Sequence, residues 1–160
     1  MNTPDRLQAL VAELGLRLKL NELQLDTHGG CAIELDRRIT VNLQYRELED
    51  ELWLYADLGL APMRSPAFYE SLLQANLFWR QTAGGTLSLS GDEPPHVVLA
   101  RSLDWLRMDI SSFGAAVETF VNAVEDWQEQ LIKADADTSA SIGASASAAG
   151  VTELLMRSRA

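Results

Sequence analysis

Ile110, Phe113, Val117, Phe120, Val124, Trp127 and Leu131 recur at spacings of three and four, alternating without a break. That pattern predicts one long amphipathic helix, starting near Asp109 or Ser111 and ending near Lys133. Glu118, Glu125, Asp126 and Glu129 fall mostly on its wet side. A single apolar stripe of this length has to be buried against other elements, so the rest of the chain must supply a layer to cover it.

Candidates for that layer stand upstream. Cys31, Ile33 and Leu35 alternate with Ala32, Glu34 and Asp36, and Ile39, Val41, Leu43 and Tyr45 alternate with Thr40, Asn42, Gln44 and Arg46. A turn near Asp36-Arg37-Arg38 and the acidic group Glu47-Leu48-Glu49-Asp50-Glu51 separate these runs from a third, Leu52 to Leu58. The reading is an antiparallel three-strand meander with one face toward the core. Leu52, Leu54, Ala56 and Leu58 make the inner face of its third strand. Trp53 and Tyr55 stand on the other face. They either pack against a loop or helix edge or form an exposed apolar strip that holds a partner.

Two further helices are predicted. Thr3-Pro4 is a start signal, and Leu7, Leu10, Val11 and Leu14 follow helical spacing, giving a first helix over 4–15 that frays or ends near Gly15. Ser65-Pro66 is a second start signal: the Ser65 side chain can accept bonds from the free N–H groups of the first turn, and Pro66 loses none there. The helix it opens, 66–79, carries Phe68, Leu72, Ala75 and Trp79 on one stripe, with Tyr69, Leu73, Leu77 and Phe78 widening it. A helix apolar over so much of its circumference wants protein on more than one side. Thr86 to Ser90 and His96 to Ser102 then form a hairpin around Gly91-Asp92-Glu93-Pro94-Pro95.

From Asp135 to Gly150 the composition shifts to Asp, Thr, Ser, Ala and Gly, too little apolar area to order itself. The sequence therefore divides into a body, 1–133, and a flexible tail, 134–160, with a possible short helix at its end. The formal net charge of -10 lies wholly in residues 1–132, which carry 20 acidic and 10 basic side chains. No basic stripe exists for a phosphate backbone, so nucleic acid is not expected as a partner, and an acidic membrane is disfavoured for the same reason. No run approaches a membrane span, Met1-Asn2-Thr3-Pro4-Asp5 lacks the features of a signal peptide, and Cys31 is the only cysteine. The expectation is a cytoplasmic protein.

No catalytic constellation stands out. His28 and His96 have no ligand group at metal spacing, Cys31 reads as a buried small hydrophobe, and Gly29-Gly30 and Gly84-Gly85 read as turns rather than phosphate loops. Neither a metal nor another cofactor is expected. The order of elements gives an α+β body: helix, three-strand meander, helix, hairpin, long C-terminal helix. Its surplus apolar surface suits a dimer that binds another protein. Competing readings are a dimeric adaptor or anti-activator bound to a folded regulator, and a small enzyme built from separated carboxylates.

Size, acidity and element order over residues 3–132 resemble the class I chaperones of type III secretion, typified by the Tir and Yop effector chaperones. The segments Leu72-Leu73-Gln74-Ala75-Asn76-Leu77-Phe78, Gly84-Gly85-Thr86-Leu87-Ser88-Leu89, Val97-Val98-Leu99-Ala100 and Phe120-Val121-Asn122-Ala123-Val124-Glu125-Asp126-Trp127 carry the likeness. Within that family the acidity and the Ser/Ala-rich tail also resemble the broad-specificity export-control (HpaB-like) chaperones of plant pathogens. The resemblance implies a homodimer in the bacterial cytoplasm that binds type III effectors in extended form, sometimes by adding a strand to a sheet edge, and presents them to the secretion ATPase. It implies effector contacts at Leu7, Leu10, Val11 and Leu14 and at Ile33, Val41 and Leu43, the last three being equally readable as core. Trp53 and Tyr55 join them from the residue pattern. The dimer seam is expected at Phe68, Leu72, Ala75 and Trp79, with Leu87 and Leu89 on the strand that follows.

Overall fold

The computed structural model of the chain describes residues 4–157 apart from 21, 36–37 and 63–64, with side chains to residue 137. The elements run α1 (Asp5–Arg17), β1 (Gly30–Leu35), β2 (Ile39–Arg46), β3 (Glu51–Leu60), α2 (Pro66–Ala75), β4 (Thr86–Leu89), β5 (His96–Leu103) and α3 (Ile110–Arg157). Short 3-10 turns at Leu77–Trp79 and Trp105–Arg107 follow α2 and β5. This is the expected α+β architecture.

The meander and the hairpin are not separate. All five strands join one antiparallel sheet in the order β1-β2-β3-β5-β4, with β5 seated against β3. Pairs such as Ala56↔Leu99 and Leu52↔Leu103 tie strands more than forty residues apart in sequence. At Gly59, whose φ of 121° is left-handed territory closed to most side chains, a bulge shifts the register and β3 runs on to Leu60.

The inner face of the sheet is the core. Ile33, Val41, Leu43, Leu52, Leu54, Ala56, Val97 and Leu99 are buried beneath the stripe of α3, of which Phe113, Val117, Phe120, Val124, Trp127 and Leu131 are buried in turn. Each large apolar side chain removed from water in this way contributes about 1.5–3 kcal/mol. The Trp127 indole N–H donates to the Gln81 carbonyl (2.8 Å), so the stripe also holds the loop between α2 and β4. Trp105 performs the same service at the opposite end, donating to the Asp50 carbonyl (3.2 Å) while the Arg6 guanidinium lies over its ring.

Local details depart from the sequence pattern. α1 continues past Gly15 to Arg17, because Gly15 is buried against Leu23, where an added Cβ would come within 2.6 Å of the leucine Cβ. Thr3 lies outside the described residues, as do Asp36 and Arg37 of the first hairpin turn. The Ser65 side chain makes no capping bond; its backbone carbonyl instead accepts from the Phe68 and Tyr69 N–H groups at 3.1 and 3.2 Å. α2 ends at Ala75 rather than at Trp79, since Phe78 and Trp79 adopt left-handed φ of 56° and 52°. α3 runs beyond Lys133, to Arg157.

Candidate partner-binding surface

Burial separates the residues expected to meet a partner into two groups. Leu7, Val11 and Leu14 form the inner face of α1, and Ile33, Val41 and Leu43 the inner face of the sheet; all six are buried within the chain. Leu10 is half-buried and packs against the same core. These positions are therefore core in this fold, with Leu14 alone also reaching the wall of a surface groove. Period-two alternation identifies a face and not its covering, which is why sequence left them open.

The groove lies above them. Between the last turns of α1 and the first half of α3, beside β1, is an open hollow of about 440 Å³. Leu14, Leu18, Leu35, Val117 and Val121 line it, and Arg17, Ser111 and Glu118 stand around them. Its walls are mostly apolar, yet no element among the described residues fills it. Leu16, in the last turn of α1, is also exposed. A signal for this groove was present in sequence: Leu18 continues the spacing of the α1 stripe beyond Leu14, and Val121 sits beside the stripe of α3.

β1 is an edge strand, and its main chain adjoins the groove. The Tyr45 N–H donates to the Gly29 carbonyl (2.8 Å), while the Gly30 carbonyl accepts outward from the Asp26 N–H (2.8 Å). By the alternation of an antiparallel ladder, Cys31 and Ile33 then bond to β2, and the N–H and C=O groups of Ala32 and Glu34 face out. Asp26 sets the strand's start, its carboxylate accepting from the His28 and Gly30 N–H groups at 2.7 and 2.9 Å. Those bonds hold its carboxyl below the ordinary carboxylate range. The Cys31 thiol is pushed up to about 11, first by burial and then by the Asp26 charge, so it stays protonated and is no nucleophile.

Trp53 and Tyr55 do stand on the outer sheet face. Tyr55 is opposite Asn42 and Ala100, and Trp53 opposite Gln44 and Ser102. Trp53 is half-buried with its indole N–H on Glu51 (2.8 Å), and Tyr55 is 38% exposed. No helix among the described residues covers this face.

A third surface runs along α2, the 3-10 turn and β4. Phe68, Leu72, Ala75 and Leu87 are buried within the chain, whereas Trp79 and Leu89 are exposed. Leu73, Leu77 and Phe78 join the exposed pair, Phe78 at 73% and Leu77 at 65%. The break after Ala75 turns Leu77, Phe78 and Trp79 outward, so the single stripe expected over 66–79 becomes a buried half and an exposed half. No group of histidines, cysteines and carboxylates that could hold a metal ion occurs among the described residues.

A small α+β sheet-and-helix body, with an open edge strand beside an apolar groove, defines a protein-binding module. The profile of the Tir chaperone protein (CesT) family matches residues 9–128, and the chain belongs to that family. It is a family of type III secretion chaperones without enzymatic activity. Solved structures share the fold. The ExsC–ExsE complex aligns with a TM-score of 0.68 at 21% identity, covering 82% of this chain and 97% of that one. The HopA1–SchA chaperone–effector complex gives 0.64 at 18% identity, covering 78% and 94%. The Yersinia pestis type III secretion chaperone SycH, solved with a fragment of YscM2, gives 0.62 at 22% identity, covering 78% and 98%. A sequence search of curated proteins returns no match.

Proposed function

We propose that this chain is a cytoplasmic chaperone that captures extended, non-globular segments of type III effectors and keeps them soluble for delivery to the secretion ATPase. The observation that carries this reading is the adjacency of the outward main chain of β1 to the apolar groove between α1 and α3. A strand added at Ala32 and Glu34 makes main-chain bonds that any sequence can make, which suits a wide client range such as that of the export-control chaperones. Its alternate side chains project on the same side as Ile33 and Leu35, toward Leu14, Leu18, Val117 and Val121. Burying them is favourable by about 25 cal/mol per Å² of apolar area, and ordering a flexible segment offsets much of that gain.

In this reading Trp53 and Tyr55 offer a second contact for the same segment as it continues around the body. The working unit is a homodimer joined through Leu73, Leu77, Phe78, Trp79 and Leu89. Both surfaces belong to residues 1–133, and 134–160 form the second unit of the chain. The neighbouring structures solved with bound partners support the assignment by fold.

The test is a pull-down from the native cytoplasm followed by limited proteolysis of the complex. An unfolded secretion segment protected on the chaperone is the expected result. A compact folded regulator in its place would establish the adaptor reading instead, and no partner at all would end both.

A further inference from the structure

The two edges of the sheet are finished differently. At β1 the main chain of Ala32 and Glu34 faces outward beside the groove. At β4 the corresponding positions are Leu87 and Leu89, because the Ser90 N–H donates to the His96 carbonyl (2.8 Å) and the ladder alternates from there. Leu87 is not free. The Asn76 carboxamide donates from Nδ2 to the Leu87 carbonyl (3.0 Å) and accepts at Oδ1 from the Leu87 N–H (2.9 Å). That pair of bonds is what a residue of a neighbouring strand would make.

We propose that Asn76 is an edge guard. Its side chain stands in for a sixth strand, closes β4 to strand addition, and leaves β1 as the one edge at which an extended segment can join. The β1 half of this statement rests on the function proposed above; the closure of β4 does not. Only a carboxamide both donates and accepts in this geometry, so leucine, alanine or aspartate cannot replace it. The position is held on both sides: the Asn76 N–H donates to the Leu72 carbonyl (3.2 Å), and the Trp79 N–H donates to the Asn76 carbonyl (3.3 Å). The left-handed Phe78 and Trp79 then turn the chain back, and the Trp79 indole N–H reaches the Thr86 hydroxyl (3.3 Å) at the start of β4. With Leu87 covered, only Leu89 of this four-residue strand offers outward main-chain groups, too few to template a partner strand.

Hydrogen exchange on the free full-length protein tests the guard directly. The Leu87 amide should exchange at least about tenfold more slowly than those of Ala32 and Glu34, although all three lie on edge strands. Equal rates would overturn the proposal. Asn76→Ala should then uncover β4 and give assemblies larger than the wild-type particle by sedimentation. A folded Asn76→Ala protein of unchanged mass would sink the idea; if Asn76→Ala fails to fold, the exchange rates decide. None of these readouts requires an effector, so failure of the chaperone reading would leave them standing.

Discussion

Cys31 and Tyr45 show how one side chain reports its surroundings. With its thiol pushed up to about 11, Cys31 holds about a hundredfold less thiolate at pH 8 than a thiol of the ordinary value 9.0. Alkylation of the native protein should be slowed by about that factor and recover on unfolding; a rate like that of a small thiol would place Cys31 in solvent. The sequence reads Cys31 as a buried small hydrophobe because its neighbours alternate; in the fold it is half-buried against the core. Tyr45 was less legible. Its hydroxyl donates to the Asp50 carboxylate (2.9 Å) because Asp50 adopts a left-handed φ of 52° that no periodicity announces. Burial first, and then that bond, push the Tyr45 phenol up to about 12 from 10.0. The fold thus favours the neutral form: this contribution is fully present below pH 10 and is lost as pH rises through about 12. An ultraviolet titration should show one tyrosine ionising late and together with unfolding. Asp50→Asn should bring it earlier.

Among elements, α3 was the most readable, since six of its seven stripe residues are buried where a 3.6-residue period puts them. The insertion of β5 beside β3 was not, because pairing between strands so far apart depends on the whole core. Two tests separate stripe from edge. Trp127→Ala should cost about 3–5 kcal/mol in a denaturant melt, since it opens a cavity under α3 and orphans the Gln81 carbonyl. Ala32→Pro should do something different. The Ala32 N–H faces away from β2, so proline there removes no bond of the sheet, yet it denies a donor to any strand arriving at β1. The variant should keep a wild-type melting temperature and lose at least about tenfold in affinity for the effector segment recovered by pull-down. Unchanged affinity with an intact fold would move the binding site off β1.

For the molecule as a whole, the same distinction between buried and exposed decides how two copies meet. Sequence placed Phe68, Leu72 and Ala75 at the seam because α2 has more apolar surface than one sheet can cover; burial assigns those three to the chain's own core. The exposed remainder, Leu73, Leu77, Phe78, Trp79 and Leu89, is what a second copy could cover. Each chain carries a net charge of -10, so two copies repel at long range and only contact between apolar surfaces can hold them. Salt should therefore strengthen the dimer by screening that repulsion, over a Debye length of about 10 Å at 0.1 M. Leu77→Glu with Phe78→Glu should leave thermal stability nearly unchanged while light scattering reports the mass of one chain. Leu72→Ala should instead cost about 2–5 kcal/mol in folding, because Leu72 is buried within a single copy. If the double glutamate variant keeps the mass of two chains, the α2–β4 surface is not the seam, and the uncovered sheet face around Trp53 and Tyr55 becomes the place to look for it.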